Sequence, residues 1–128
     1  MTADTPTTVG DVMTTPMETV SATATIRTAA STMRNREINA LLVPGGETGI
    51  VTSTDVLDAV AAGRDPESAT VGDVMTLPVE SVTVDLQLSE AAAMLTNYCI
   101  NHLPVRDSSG DYVGMVSSTD MRETLIES

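Results

Sequence analysis

Two short polar segments hold the side chains best placed for chemistry. Thr52-Ser53-Thr54-Asp55 and Ser117-Ser118-Thr119-Asp120 each follow an apolar run that reads as a strand, and each opens a run that reads as a helix. A hydroxyl with a carboxylate three residues on is the pattern of a capping box, in which both side chains satisfy backbone N–H groups at a helix start. The same geometry suits a ligand. A helix N-terminus offers N–H groups and a favourable dipole to a phosphate, and a carboxylate beside it can accept hydrogen bonds from two ribose hydroxyls. Sequence alone leaves both roles open.

Little else in the chain resembles catalytic machinery. There is one His, one Cys and no Lys, and no nucleophile sits beside a base in a recognisable pattern. The expectation is a protein that is not an enzyme. His102, at a strand start, reads first as a packing or hydrogen-bonding residue. Cys99 has no partner for an internal disulfide, and no Cys/His spacing suggests a metal site. That usage fits a reducing cytoplasm. The opening MTADTPTT lacks the basic and apolar regions of a signal peptide. No apolar stretch approaches the roughly 20 residues of a membrane span.

Charge narrows the partners. The 128 residues carry 18 acidic and 6 basic side chains, a formal net charge of -12. Such a field repels phosphate backbones, and with two Tyr and no Phe or Trp the chain lacks stacking platforms for single strands. Nucleic acid is not an expected partner. Strong acidity, Arg without Lys and abundant Thr resemble the composition of proteins from salt-saturated, halophilic cytoplasm. There the Debye length falls to about 3 Å at 1 M salt and self-repulsion is screened.

The positions of these segments follow from an internal duplication, a signal to be sought before any other. Val9-Gly10-Asp11-Val12-Met13-Thr14 recurs letter for letter as Val71-Gly72-Asp73-Val74-Met75-Thr76, an offset of 62 residues. The offset carries Pro16 onto Pro78, Ala29-Ala30 onto Ala91-Ala92, and Ile38-Asn39 onto Ile100-Asn101. After a longer turn in the second copy, Gly49–Asp55 matches Gly114–Asp120. The repeats are placed at residues 8–63 and 70–128, with a polar linker at 64–69.

Each copy reads as β-α-β-β-α after a short opening turn, an α/β (α+β) fold. Ile26, Ala29, Ala30 and Met33 have helical one-face spacing, as do Leu88, Ala91, Ala92 and Leu95. Asp85 is the expected N-cap of the second of these helices. Strands at 40–43 and 50–52 flank Gly45-Gly46, and strands at 103–106 and 112–116 flank Ser108-Ser109-Gly110. A helix from Asp55 to Ala62 stops at Gly63, and another follows Asp120. A unit of about 60 residues is marginal alone, so the two copies are expected to pack together with pseudo-two-fold symmetry.

The full set of motifs resembles the CBS (cystathionine beta-synthase) domain family over residues 8–126. The carriers are the V-x-D-V-M-T opening, Ile100-Asn101-His102-Leu103-Pro104-Val105 with its looser copy Ile38-Asn39-Ala40-Leu41-Leu42-Val43, and the closing G-h-h-[ST]-x-x-D. The resemblance implies a tandem pair, or Bateman module, that binds AMP, ADP, ATP or S-adenosylmethionine between the repeats and regulates another protein. It needs no resident cofactor. By carry-over, one site comprises Asp120, Thr119, Ser117, Asn101 and His102 with Met13, Thr14, Pro16 and Met17 of the opposite repeat. The other comprises Asp55, Thr54, Thr52, Asn39 and Ala40 with Met75, Thr76, Pro78 and Val79. Phosphate-binding relatives often carry Arg or Lys where this chain has His102 or Ala40, so the Asp120 site is favoured and polyphosphates are expected to bind weakly. The alternative is a ligand-free, homodimerising interaction module. Its surface would use Val56, Leu57 and Val60, and Met121, Leu125 and Ile126.

Overall fold

The computed structural model describes residues 7–77, 79–98 and 100–127, the stretch 123–127 by its backbone. Pro78 and Cys99, and the side chains of Leu125 and Ile126, lie outside the described residues. The chain forms two compact units, one of residues 18–79 and one of residues 1–17 with 80–128. These cuts differ from the repeat boundaries because each repeat lends its opening segment to the body of the other.

In the 18–79 unit, α2 (Ile26–Arg36) leads into β1 (Ala40–Val43), β2 (Gly49–Thr52) and α3 (Ser53–Ala61). The opening turn of the second repeat, α4 (Val71–Val74), completes it. Thr25 caps α2 by accepting from the Thr28 N–H. Helical spacing then turns Ile26, Ala29 and Met33 inward, as the sequence predicts. β1 and β2 pair antiparallel across the Gly45-Gly46 turn, with Ala40 opposite Thr52 and Leu42 opposite Ile50. Ala29, Met33, Leu41, Val43 and Val51 form the core, and Val71 from the second repeat joins them.

The other unit repeats the plan. β3 (Val82–Thr83) runs parallel to β4 (His102–Arg106), which pairs antiparallel with β5 (Tyr112–Ser117). α5 (Leu88–Tyr98) and α6 (Ser118–Glu127) supply the helices. Leu88, Ala91 and Leu95 are buried with Leu103, Val105, Val116 and Met121, and the first repeat contributes Val9 of its opening turn, α1 (Val9–Val12).

The exchange is visible bond by bond. Val9 and Gly10 donate to the Leu86 and Val84 carbonyls, while Val71 and Gly72 donate to those of Ala24 and Ala22. All four positions are related by the 62-residue offset. The buried Val at the head of each turn thus fills the core of the opposite repeat.

Two expectations are corrected. Asp85 does not cap α5, which starts three residues later; the Asp85 carboxylate instead accepts from the Thr83 hydroxyl at 2.7 Å. Met121 is not on the surface but in the core, 2% exposed. No helix among the described residues is long and apolar enough to cross a membrane.

Candidate ligand site

All described members of the Asp120 set fall in one unit, and all those of the Asp55 set in the other. β5 runs without a break into α6, so Ser117 is at once the last strand residue and the N-cap. Its N–H donates to Asp120 Oδ2 at 3.0 Å, and its Oγ accepts from the Asp120 N–H at 3.1 Å. The capping box expected from sequence is therefore present, and it fixes the half-buried carboxylate at the helix start. His102, half-buried, stands opposite Ser117 in the β4–β5 ladder. Asn101 precedes it, with its carbonyl accepting from the Ser118 N–H at 2.9 Å and its Oδ1 from the Ser118 hydroxyl at 3.3 Å. Thr119 is exposed beside them.

The opening segment arrives on the free edge of β5. Thr14 and Met115 exchange both backbone hydrogen bonds, at 2.8 and 3.0 Å. Met115 and Ser117 share a face of the strand, about 7 Å apart, so Thr14 is one strand over from the Ser117–Asp120 box. Pro16, exposed, and Met17, half-buried, follow Thr14 and are placed near it by chain continuity alone.

The Asp55 set has the same geometry. The Thr52 N–H donates to Asp55 Oδ2 at 2.9 Å, and Thr52 Oγ1 accepts from the Asp55 N–H at 3.2 Å. Ser53 donates to the Asn39 carbonyl at 2.9 Å, and Thr76 exchanges hydrogen bonds with Ile50 at 2.9 and 3.1 Å. Thr54 is exposed, and the Val79 N–H donates to the Thr48 carbonyl at 3.0 Å. The sites differ where β4 offers a half-buried imidazole at His102 and β1 a buried methyl at Ala40.

Sequence reasoning missed the part played by Gly114 and Gly49. A Cβ on Gly114 would lie 2.8 Å from Met13 Sδ and 2.9 Å from the Thr14 carbonyl oxygen. On Gly49 it would meet the Leu77 side chain at 2.8 Å and the Thr76 carbonyl oxygen at 2.9 Å. The bare Cα is what lets each opening segment lie on its strand. The signal was on view, since both glycines recur in register at the head of the closing motif.

A separate groove of about 550 Å³ lies between α2 and α3, lined by Met33, Ile38, Val56 and Leu57 with Arg34 and Glu37 among its polar residues. It reaches Asn39 and Ser53 but leaves out Thr52 and Asp55. Among the described residues no cluster of three or more His, Cys, Asp or Glu could hold a metal ion.

Known proteins share this arrangement. The CBS domain of the family collections matches twice, at residues 9–62 and 71–127. The CBS domain-containing protein YhcV of Bacillus subtilis is 34% identical over 116 residues, 88% of this chain and 81% of that protein. The CBS domain pair of protein MJ0100, solved in complex with 5′-methylthioadenosine and S-adenosyl-L-methionine, is 28% identical with a TM-score of 0.87. That match covers 96% of this chain and 98% of the other. The homoserine O-acetyltransferase of Methanocorpusculum labreanum is 36% identical over 117 residues, 89% of this chain but only 23% of the enzyme. With two matches in register with the duplication, the chain belongs to the CBS domain family and carries a tandem pair of the domain.

Proposed function

We propose that this chain is a non-catalytic regulatory module that binds an adenosyl ligand beside Asp120 and passes its occupancy to a partner protein in the cytoplasm. The observation that carries this reading is the repeated strand, Ser/Thr–Asp box and opening segment gathered within each unit. A carboxylate offers about four lone-pair directions. Asp120, oriented by the Ser117 N–H, can therefore also take ribose hydroxyls, with Ser117 and Thr119 beside it. The apolar side chains of Met13, Met17 and Met115 would flank the base, with Thr14, Pro16, Asn101 and His102 completing the site. Asp55, Thr52, Thr54, Asn39, Thr76 and Pro78 form the second candidate. The MJ0100 pair, which holds adenosyl compounds, supports this ligand class. S-adenosylmethionine, AMP, ADP and ATP are the compounds to try.

A second reading, an interaction module with empty sites that pairs with its own copy, is favoured by one surface. Leu57 at the α2–α3 groove is 68% exposed and Val60 49%.

A thermal-shift titration in molar KCl separates the two readings. A ligand at 100 times its dissociation constant stabilises the folded state by about 2.7 kcal/mol. The expected result is a saturable rise in melting temperature with one adenosyl compound, weakened about tenfold or more in Asp120→Ala, as for loss of a hydrogen bond to a charged group. Asp73→Ala, which loses a capping box outside both candidate sites, controls for lost capping. A rise of equal size in Asp120→Ala overturns the site, and no rise with any compound leaves the interaction module.

A further inference from the structure

We infer that Met13 and Met75 are peroxide-sensitive clasps, whose oxidation to the sulfoxide releases the opening segments from β5 and β2. In each unit the opening segment is held to its strand in two ways. One is a pair of backbone hydrogen bonds, Thr14 with Met115 and Thr76 with Ile50, at 2.8 to 3.1 Å. The other is a thioether seated on a glycine. The point where a Gly114 Cβ would stand is 2.8 Å from Met13 Sδ and 2.9 Å from the Thr14 carbonyl oxygen. The corresponding point on Gly49 is 3.1 Å from Met75 Sδ and 2.9 Å from the Thr76 carbonyl oxygen. Each sulfur therefore borders the carbonyl that closes its hydrogen-bonded pair, and each side chain also packs on the core of its own unit. Met13 and Met75 are half-buried, within reach of a small peroxide, whereas Met33 and Met121 are shielded at 4% and 2% exposure. Met17, Met94 and Met115 are half-buried too, and the variants below separate their oxidation from that of the clasps.

The chemistry is a two-electron oxidation. The thioether sulfur attacks one oxygen of hydrogen peroxide, an S–O bond forms, the O–O bond breaks, and after proton transfer water leaves. The sulfur loses the two electrons that the peroxide gains. The product replaces a soft apolar contact by a strong acceptor that has no donor of its own. The backbone N–H groups of each clasp already serve each other's carbonyls. A sulfoxide kept in place competes for them or stays unpaired beside a carbonyl oxygen, which is costly next to an apolar core. Turned out to water it is satisfied, but the seat on the glycine and the core contacts are given up. Each course loosens the clasp. This structural step goes beyond the adenosyl reading and stands without it. Its consequence for binding rests on that reading: release carries Thr14 and Thr76 out of the candidate sites, so peroxide switches ligand binding off.

The test treats the full chain with dilute hydrogen peroxide and then with dithiothreitol, which returns a sulfenic acid or disulfide at Cys99 to the thiol and leaves sulfoxides. Peptide mass spectrometry locates the added oxygen, amide exchange by NMR follows Thr14, Met115, Ile50 and Thr76, and calorimetric titration with S-adenosylmethionine reads binding. The expected result is one oxygen on Met13 and on Met75, with exchange at the four amides faster by about tenfold, the order of one lost hydrogen bond. Methionine sulfoxide reductases should reverse it. The Met13→Leu/Met75→Leu variant, close to volume-conserving, should keep slow exchange through the same treatment. Unchanged exchange with both sulfurs oxidised, oxidation of Met17, Met94 or Met115 without Met13 and Met75, or equal acceleration in the Leu variant overturns the inference. Failure of the untreated chain to bind S-adenosylmethionine counts against the adenosyl reading and the binding consequence, while the exchange rates still decide the clasps.

Discussion

A carboxylate three residues past a hydroxyl caps a helix at Asp120 and at Asp55. The capping box satisfies the helix start, and in doing so it holds a charged oxygen in one place, which is the preorganisation the proposed ligand would need. The structural role and the proposed ligand role are therefore compatible. The sequence made the box legible because its partners are local, three residues apart. It showed a glycine recurring at 49 and 114 but not the reason for it, because the atoms that would crowd a side chain at 114 belong to Met13 and Thr14, far upstream. Gly114→Ala puts a methyl group 2.8 Å from Met13 Sδ and 2.9 Å from the Thr14 carbonyl oxygen. The sulfur can swing away, but the carbonyl is bonded to the Met115 N–H and cannot. The expected cost is about 1–3 kcal/mol of stability, as for overpacking elsewhere, with weaker ligand binding because Thr14 moves. Gly46→Ala, where a Cβ meets nothing within 4 Å, is the control and should be neutral or slightly stabilising. Urea unfolding midpoints of the two variants decide it, and equal midpoints would remove Gly114 from the account.

The helices were readable at the scale of elements, because Ile26, Ala29 and Met33, and Leu88, Ala91 and Leu95, keep a 3.6-residue period that tertiary packing then uses. The first strand of each repeat, which the sequence places near residues 19–20 and 81–84, is there but short. In the 18–79 unit Leu42 donates to the Glu18 carbonyl and accepts from the Val20 N–H. The matching residue in the other unit is Pro104, which has no N–H to give, so the parallel ladder is taken up one residue later, at Val82 and Val105. Pairing strength depends on the partner strand, which local composition does not reveal. The short opening turns depend on their caps. Asp73 Oδ2 accepts from the Thr70 N–H at 3.0 Å, and that bond, with a second to the Thr70 hydroxyl and a lesser pull from Arg64, holds the Asp73 carboxyl below its ordinary range against a small opposing effect of burial. A carboxyl lowered by folding stabilises the fold above its unfolded pKa, about 3.9, and that contribution is lost as pH falls through the folded value. Asp73→Asn should thus be less stable than the unaltered chain at pH 6–7, and the gap should narrow below about pH 4. The difference between the two proteins is the quantity to follow by urea unfolding, since protonating the other carboxylates also relieves repulsion in both. A gap unchanged from pH 7 to pH 3 would show that the charge on Asp73 contributes nothing.

For the molecule as a whole, the duplication was plain, and the exchange of opening segments was not. Val9–Thr14 and Val71–Thr76 are identical, so those six residues do not tell which hairpin each segment joins, and the exchange depends on contacts with residues far away in the chain. Charge is the other property of the whole, and it carries a prediction. A net charge of -12 resists compaction at low ionic strength. The ion pairs of Arg27 with Glu67 and Arg36 with Glu18 offset part of it, and both are surface pairs that salt weakens. If screened self-repulsion governs stability, the melting temperature should rise with KCl, by at least about 5 °C, the equivalent of roughly 1–2 kcal/mol in a chain of this size. Most of the rise should come below 1 M, where the Debye length has already shrunk to about 3 Å. A steady climb that continues to 3 M points instead to exclusion of salt from the surface, and a flat profile between 0.05 and 1 M removes charge repulsion as the reason for the acidic composition.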